Sequence, residues 1–352
     1  MIYDSSTPIK KLLEELEASE GEPLYVADGT TFIGSVTDGD VRRGIIDGIS
    51  LSDPVSRICN KHAVSFNDKE EFSSLSKCLL RKETFSKFPW IDIEGRLRGL
   101  ISREKLIGHL SQNTCCVIMA GGLGSRLGEI TEKQPKPMVK VGDEPMLTHV
   151  LKRLKAAGLL QIKISVNYLK QQIIDYYGDG SNFGVEIEYI HEETRLGTAG
   201  SISLITQNYE NYIVINSDIL TDIDMLQFTL SRFNAGADAA AAIITQSIQI
   251  PFGVVEVGDF SQISAIKEKP SQNYNILSGI YSINRSIKNL LKKGEYYDMP
   301  DLLELSIKEG FKIHAYADDF EWIDMGTPKN LKVADKLLNS RNMDNKEARS
   351  RN

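Results

Sequence analysis

VIMAGGLGSRLGEITEKQPKPMVKVGDEPM, residues 117–146, joins an apolar run to a glycine-rich loop and then to a lysine between two prolines. The apolar run ends at Ala120, and four glycines follow within eight residues. Arg126 lies between the third and fourth of these glycines, and Lys136 stands between Pro135 and Pro137. Backbone without side chains can approach phosphate oxygens, and nearby cations offset their charge. The stretch therefore predicts a loop that binds a polyphosphate.

Two common phosphate-binding motifs do not fit this loop. A P-loop requires a lysine and a hydroxyl residue directly after its last glycine, and no such pair occurs here. A dinucleotide fingerprint requires G-x-G-x-x-G running into a helix. Here Gly124 and Gly128 are one residue too far apart, and Pro135 and Pro137 interrupt the helix that should follow.

The loop resembles the signature of the sugar-phosphate nucleotidyltransferases, and the resemblance extends from residue 117 to about 335. It rests on A-G-G-x-G-x-R-L followed by P-K-P-M. In that family the loop surrounds the phosphates of a nucleoside triphosphate. The resemblance implies that Arg126 stabilises the leaving pyrophosphate and that Lys136 holds the phosphate under attack. The loop residues assigned to the nucleotide are Ala120, Gly121, Gly122 and Gly124.

This chemistry brings two polyanions together and therefore calls for a divalent cation, which we expect to be Mg²⁺ with oxygen ligands. The apolar run YIVIN ends in Ser217 and Asp218, which places Asp218 at the carboxyl end of a predicted strand. Asp324, in WIDMGTP, occupies a similar position. The family has two metal-binding aspartates in such contexts, so we assign Asp218 and Asp324 to the metal. For Asp324 alone, a turn-forming role is an equal alternative.

The sugar 1-phosphate needs its own cation and hydroxyl acceptors. Glu268-Lys269-Pro270 resembles the E-K-P element of the family. It implies that Lys269 binds the sugar phosphate and that Glu268 accepts hydrogen bonds from sugar hydroxyls. Gly253 and Gly279 match positions where the family's backbone lies close to the sugar.

The segment HEETRLGTAG, residues 191–200, is assigned to the nucleobase. It resembles the LGTAG element that lies beside the base in the family. Gly197 and Gly200 would let the backbone approach a flat ring, and Thr198 stands between them. Glu192 or Glu193 could accept hydrogen bonds from two adjacent guanine donors, which slightly favours guanine over uracil or thymine.

The first 113 residues contain an internal repeat, with copies at about 1–57 and 58–113. Residues 24–43 and 88–107 each read as two short strands followed by a polar helix start, and Gly34 aligns with Gly99. These copies resemble the cystathionine-β-synthase (CBS) motif, so we predict a tandem CBS (Bateman) module.

The CBS resemblance implies one adenine-nucleotide site. The first copy retains the family's Gly-x-x-Thr-x-x-Asp pattern, with Thr37 for phosphate and Asp40 for the ribose. The second copy has Ser102 but carries Lys105 in place of the aspartate. Helix capping alone is an equal alternative for Thr37 and Ser102. Because CBS pairs commonly associate with each other, a homo-oligomer is expected.

From 115 to 338, apolar strand-like runs alternate with helical patterns, which predicts an α/β, Rossmann-like domain with a mainly parallel sheet. The predicted helices cover 145–157 and 169–177. The predicted strands cover 115–120, 162–166, 185–190, 212–216 and 240–244. Residues 339–352 are polar and aperiodic, and we expect a frayed tail.

Composition excludes several classes of protein. A chain of 352 residues is long enough for two domains, and its net charge of −7 disfavours a nucleic-acid partner. The four cysteines have no metal or disulfide spacing, and the adjacent Cys115 and Cys116 read as core packing. There is no signal-peptide pattern and no apolar run long enough for a membrane helix, so a cytoplasmic location away from membranes is expected.

A CBS pair ahead of this domain resembles the glucosamine-1-phosphate guanylyltransferases of bacterial legionaminic acid synthesis. The expected reaction is therefore GTP plus glucosamine 1-phosphate giving GDP-glucosamine and pyrophosphate, for surface glycan synthesis. Alternatives within the class are mannose-1-phosphate guanylyltransferase and glucose-1-phosphate uridylyltransferase or thymidylyltransferase. A nucleotide-sensing regulator with an inactive catalytic half is the alternative of another class.

Overall fold

The computed structural model describes residues 1–81 and 85–350 and divides into two compact units. The first unit comprises Met1–Thr114 together with Thr229–Gly236. The second comprises Cys115–Phe228 and the chain from Ala237 onward. The sequence placed a break after residue 113, but it gave no sign that residues 229–236 group with the amino-terminal residues.

The amino-terminal unit repeats one β-α-β-β-α arrangement. The first copy consists of β1 (Ile2–Asp4), α1 (Ile9–Ala18), β2 (Leu24–Asp28), β3 (Thr31–Val36) and α2 (Asp38–Ile46). The second copy consists of β4 (Phe66–Asn67), α3 (Glu71–Leu79), β5 (Lys87–Ile91), β6 (Leu97–Ser102) and α4 (Arg103–Gln112). In each copy the first strand is parallel to the second, and the second is antiparallel to the third.

Strand pairing shows how closely the two copies correspond. Val26 in β2 pairs with Gly34, and Trp90 in β5 pairs with Gly99. In both sheets the register shifts directly after this pair, as at a β-bulge. The equivalence of Gly34 and Gly99 is thus visible in the backbone and in the sequence alike.

The second unit alternates strands and helices before adding a long antiparallel section. Its first half contains β7 (Thr114–Met119), β8 (Lys140–Val141), β9 (Glu144–Pro145), α5 (Met146–Ala156), β10 (Gln161–Val166), α6 (Lys170–Tyr177), β11 (Glu186–His191), α7 (Gly197–Gly200), β12 (Asn211–Asn216) and β13 (Ile219–Thr221). Helix α8 (Met225–Asn234) follows, and its residues from Thr229 onward group with the first unit. The second half of the second unit contains β14 (Ala239–Gln249), β15 (Val254–Val257), β16 (Ile263–Lys267), β17 (Ser271–Asn284), α9 (Arg285–Lys288), α10 (Met299–Lys308), β18 (Ile313–Tyr316), β19 (Trp322–Asp324) and α11 (Pro328–Ser350).

Within the described residues, seven strands form the central sheet in the order β11-β10-β7-β12-β17-β14-β18. Strand β10 is parallel to both β7 and β11, and β14 is parallel to β18. Strand β17 is antiparallel to both of its neighbours, β12 and β14. The α/β class and the mainly parallel sheet are confirmed, with β17 as an antiparallel strand that the sequence did not predict.

Burial explains why β7 lies inside this sheet. Cys115, Cys116, Val117 and Ile118 are fully buried, as expected for a strand covered on both faces. Burial raises the pKa of the Cys115 thiol to about 12 and that of Cys116 well above its ordinary value. Both cysteines therefore pack as small apolar side chains, as the sequence predicted.

Two further observations concern the chain as a whole. Helix α11 continues to Ser350, where the sequence predicted a frayed tail from residue 339. Within the described ranges, no helix combines the length and apolarity needed to cross a bilayer.

Candidate active site

The glycine-rich loop follows β7 directly and leads into a short 3-10 helix, Ser125–Thr131. Gly124 has a positive φ of 69° and lies so close to Lys136 and Thr131 that a Cβ there would come within 2.9 Å of each. The Thr131 hydroxyl donates to the Gly124 carbonyl at 2.9 Å. This glycine therefore lets the loop fold back on the lysine segment.

Lys136 and Asp218 come together beneath this loop. The Lys136 ammonium contacts the Asp218 carboxylate, and the two side chains are only 12% and 14% exposed. Pro135 and Pro137 flank the lysine in the short 3-10 helix Lys136–Met138. Asp218 follows β12 by two residues. An ion pair with little exposure indicates a fixed pair of charges.

Arg126 and Asp324 form a second pair of opposite charges. The Arg126 Nη1 lies 3.4 Å from the Asp324 Oδ2. The other carboxylate oxygen of Asp324 accepts a hydrogen bond from the Gly326 N–H at 2.8 Å. A Cβ on Gly326 would lie 2.7 Å from the Arg126 guanidinium, so the glycine makes room for this pair.

The backbones of the two predicted metal ligands are adjacent. Asp324, in β19, pairs with Ile219, the residue after Asp218. The Met325 N–H donates to the Asp218 carbonyl at 2.8 Å. Asp218 and Asp324 therefore lie together where β13 begins and β19 ends. The Asp218 carboxylate contacts Lys136, and the Asp324 carboxylate contacts Arg126. The turn-forming alternative for Asp324 is also visible, in its hydrogen bond from Gly326.

Glu192 is a structural residue of the loop after β11. Its side chain accepts hydrogen bonds from the Ser165 hydroxyl and, at 2.9 Å, from the Leu196 N–H. The residue is only 7% exposed, and a Cβ on Gly121 would lie 2.9 Å from its Oε1. Both carboxylate oxygens thus have partners within the protein, which disfavours the predicted role in reading guanine. Glu193 is exposed and lies outside the described lining of the cavity.

The LGTAG segment packs against residues 295–298. A Cβ on Gly197 would lie 2.4 Å from the Tyr297 carbonyl, and one on Gly200 would lie 2.4 Å from the Glu295 carbonyl. These glycines make room for protein backbone, and Gly197 also lines a cavity, so its place beside a base stays a prediction. The Thr198 N–H and hydroxyl both donate to Asp298, at 2.9 and 3.2 Å.

Asp298 is the N-cap residue of helix α10, and its hydrogen bonds with Thr198 join the LGTAG segment to residues 295–298. Burial raises its pKa, but the hydrogen bonds from Thr198 and Tyr296 and the charge of Arg195 outweigh burial, and the net pKa lies below the ordinary 3.8. Asp298 is therefore held as a carboxylate beside the cavity. In the sequence, an aspartate followed by Met-Pro is typical of the start of a helix. That pattern predicts helix α10, but it does not predict that Asp298 lines the cavity.

One cavity of about 220 Å³ collects most of the nucleotide-side residues. Its lining combines predicted residues with others that the sequence analysis did not assign. The predicted members are Ala120, Gly121, Gly122, Lys136, Glu192, Gly197, Thr198 and Asp218. The unassigned members include Arg195, Asn216, Ser217, Tyr296 and Asp298.

The described lining of this cavity includes none of the four predicted sugar-side residues, Gly253, Glu268, Lys269 and Gly279. Glu268 and Lys269 are exposed, directly after β16, and Gly253 is close to them, with a Cβ position 3.1 Å from the Glu268 carboxylate. Gly279 lies beside the cavity, since its Cβ would be 2.7 Å from the Asn216 amide. Among the described residues that line the cavity, none comes from 253–269.

No cluster of three or more His, Cys, Asp or Glu side chains with metal-binding geometry occurs among the described residues. The pair Asp218 and Asp324 offers hard oxygen donors of the kind that Mg²⁺ accepts, with the remaining ligands left to water and phosphate.

Comparison with known proteins identifies the second unit. The family model for nucleotidyl transferases matches residues 115–341. Mannose-1-phosphate guanylyltransferase of Mycobacterium tuberculosis is 31% identical over 223 residues, which cover 61% of this chain and 62% of that protein. D-glycero-alpha-D-manno-heptose 1-phosphate guanylyltransferase of Aneurinibacillus thermoaerophilus is 30% identical over 226 residues, covering 63% of this chain and 97% of that protein.

Two further comparisons agree. UTP–glucose-1-phosphate uridylyltransferase of Synechocystis is 31% identical over 232 residues, covering 60% of this chain and 59% of that protein. The crystal structure of HddC from Yersinia pseudotuberculosis superposes with a TM-score of 0.51 at 25% identity, covering 64% of this chain and 99% of that one. The chain spans about 62% and 59% of the first two curated relatives that it matches. Since the family model matches well over half of its residues, the chain belongs to the nucleotidyl transferase family.

Proposed function

We propose that the second unit joins a nucleoside triphosphate to a sugar 1-phosphate, giving a nucleotide sugar and pyrophosphate. The observation that carries this proposal is the nearly buried pair of Lys136 and Asp218 in a cavity lined by the glycine-rich loop. A cation at the end of a glycine loop suits a phosphate, and a carboxylate beside it suits a phosphate-bound metal ion.

The reaction is an in-line phosphoryl transfer. An oxygen of the sugar 1-phosphate attacks the α-phosphorus, the bond from that phosphorus to the bridging oxygen breaks, and pyrophosphate leaves with the bond's electron pair. Such transfers depend mainly on positioning and electrostatic stabilisation, so no nucleophilic side chain is required. Lys136 would hold the α-phosphate, and Arg126 would neutralise charge on the departing pyrophosphate.

Asp218 and Asp324 are the residues that would hold Mg²⁺. Each carboxylate has a cationic partner in the structure, so each lies in a place that favours positive charge. When bound, the ion would neutralise phosphate charge. Lys136 and Arg126 would then release the carboxylates and turn to the phosphates, which keeps the local charge balanced.

For the substrates we propose GTP and glucosamine 1-phosphate, with mannose or glucose 1-phosphate and a uridylyl or thymidylyl enzyme as alternatives. Two of the relatives above are named guanylyltransferases and one a uridylyltransferase, which leaves the base to experiment. Glu192 already accepts two hydrogen bonds within the protein, and Glu193 lies outside the described cavity lining, so substitution of each by glutamine is needed to test the predicted contact with guanine. Lys269 and Glu268 would bind the sugar phosphate and hydroxyls, with Gly253 and Gly279 close to the ring.

A substrate panel tests this function. Pyrophosphate release is measured with each nucleoside triphosphate against several sugar 1-phosphates, with and without Mg²⁺. We expect Mg²⁺-dependent turnover that is fastest for GTP with glucosamine 1-phosphate. Turnover with another pair would retain the reaction and replace the substrates. No turnover with any pair would favour the alternative of a nucleotide-sensing regulator.

For the amino-terminal unit we propose an adenine-nucleotide site of the CBS type. A cavity of about 190 Å³ is lined by Thr37 and Asp40 and by the cations Arg43 and Arg81, with His62 also present. The capping alternative is supported as well, because the Thr37 hydroxyl and N–H both donate to Asp40, at 2.7 and 2.8 Å. Calorimetric titration with AMP and ATP should show binding that Asp40→Ala weakens and Lys105→Ala leaves unchanged.

A further inference from the structure

The hairpin formed by β15 and β16 carries an apolar face that no described part of the chain covers. Val255 pairs with Ile266, and Val257 pairs with Ile263. Residues opposite each other in an antiparallel pair point to the same side, as do residues two apart on one strand, such as Val255 and Val257. The register shifts between the two pairs, so that Ser264 has no register partner in β15 and Ile263 lies opposite Val257. All four side chains therefore share one face, which we call the hairpin face.

The exposure of the hairpin face is unusual. Its four side chains, Val255, Val257, Ile263 and Ile266, are 48%, 62%, 59% and 66% exposed. The opposite face carries the half-buried Val254 and Ala265 together with Glu256 and Lys267, and the Lys267 ammonium donates to Glu256 at 2.6 Å. Phe260, in the turn between the strands, is 98% exposed. An ordinary surface hairpin turns its apolar side inward and its charges outward, and the exposure here indicates a missing partner.

A hairpin of this kind needs support. Strands β15 and β16 form a sheet of their own with no third strand among the described residues. Isolated two-stranded sheets are marginally stable in water and gain stability when an apolar face is covered. The residues outside the described ranges, Lys82, Glu83, Thr84, Arg351 and Asn352, all have polar side chains.

Charge indicates what kind of partner fits. From 254 to 267 the hairpin carries Glu256, Asp259 and Lys267, and the chain has a net charge of −7. Nucleic acids and anionic lipid surfaces attract clusters of lysine and arginine, and the hairpin has none. The partner that fits is an uncharged, flat surface of aliphatic side chains. The hairpin face of a second copy of this chain is such a surface.

The available area agrees with a symmetric contact. The four aliphatic side chains and Phe260 expose roughly 600 Å² of apolar surface, given that one aromatic side chain contributes about 150–250 Å². Two copies would together bury about 1,200 Å², which is the lower end of the range for specific interfaces. A two-fold axis through the contact would place each face on its own equivalent and close the assembly at a pair.

We propose that two copies of this chain associate by packing their hairpin faces, formed by Val255, Val257, Ile263 and Ile266, against each other. The test is the molar mass of the full chain, measured by light scattering and sedimentation over about 1–100 µM. Ile266→Lys places a charge in the centre of the face. Ile307→Lys is the matched control. It makes the same substitution on helix α10, away from the hairpin face, at a residue that is 62% exposed.

We expect the Ile266→Lys variant to have half the mass of the parent at equal concentration, and the Ile307→Lys variant to keep the parent's mass. If the chain also associates through another surface, the mass still falls twofold with Ile266→Lys alone. A parent that is monomeric throughout, or an Ile266→Lys variant of unchanged mass, overturns the proposal. A monomeric parent that co-sediments with phosphatidylcholine vesicles, while the variant does not, would instead assign the face to lipid.

Disulfide trapping guards against misfolding of the charged variant. Ile266→Cys should form covalent dimers under mild oxidation, and Ile307→Cys should not. Cys78, Cys115 and Cys116 are buried, and the half-buried Cys59 is replaced by serine in both variants to remove its background. Absence of linked dimers from a folded Ile266→Cys variant, judged by its circular dichroism, would contradict the proposed contact.

Discussion

The Lys136 ammonium contacts the Asp218 carboxylate although the two residues lie 82 positions apart in the sequence. Each comes from a different segment beside the central sheet, and neither has much access to water. The contact therefore fixes the glycine-rich loop to the end of β12, and it places one positive and one negative charge side by side in the cavity.

Lys136→Met should lower kcat/KM for pyrophosphate release by about 100- to 1,000-fold, the usual effect of removing one stabilising charge or donor. The loss would arise because the substitution removes the ammonium group that is proposed to hold the α-phosphate. Lys133→Met, an exposed position in the same segment, is the control and should retain parental kinetics. Equal kinetics for the two variants would contradict the role of Lys136.

Asp218→Asn should abolish Mg²⁺-dependent turnover while the protein stays folded. The amide keeps the shape of the side chain but removes the charge that a divalent cation needs. Initial rates measured against Mg²⁺ concentration, with thermal melts alongside, check this. Asp143→Asn, in the exposed turn between β8 and β9, should behave as the parent. A fully active Asp218→Asn variant would refute the metal assignment.

Gly121→Ala and Gly122→Ala should differ in stability although they are neighbours. A Cβ at Gly121 would meet the fixed Glu192 carboxylate at 2.9 Å, whereas nothing lies within 4 Å of one at Gly122. We expect Gly121→Ala to lose about 1–3 kcal/mol of unfolding free energy, as overpacked sites do. Gly122→Ala should unfold as the parent does and raise the KM for the triphosphate, because its methyl group faces the cavity. Matching denaturant midpoints would rule out the close contact.

Asp298 should make stability depend on acid pH. Its folded-state pKa is below the ordinary 3.8, so its contribution to stability is complete above that value. The contribution is lost as the pH falls further and the carboxyl group protonates through its lowered pKa. Urea unfolding at a series of pH values from 2 to 6, with Asp298→Asn as the comparison, measures this. The variant should show a shallower fall in unfolding free energy below about pH 4, and parallel curves would show that Asp298 does not contribute.

Local patterns predicted much of the second unit. Apolar runs placed β7, β10 and β12 within a residue of their observed bounds, because buried strands in a parallel sheet are continuous in hydrophobicity. The long antiparallel strand β17 was missed, since half of it is exposed and polar and carries no clear period. Assignment to the nucleotidyltransferases from 117 onward is confirmed by the family match over 115–341.

Prediction of the site had a physical limit. The loop, Lys136 and Asp218 follow from residue types, and the structure brings them together. The roles of Gly197 and Glu192 did not follow, because a glycine that admits a ligand and one that admits backbone look the same in sequence. Only the approach of residues 295–298, about 100 positions away, distinguishes them. The CBS assignment and the substrates stay predictions.

Strand β17 connects the exposed segment of Lys269 with the edge of the cavity. It begins at Ser271, two residues after Lys269, and passes Gly279 beside the cavity. From Ser271 to Leu277 it pairs residue by residue with β14, and the register shifts between Leu277 and Tyr281. Adding or removing one residue in the paired segment would turn the side chains that follow to the opposite face. The side chains that β17 presents near the cavity therefore depend on the length of this segment.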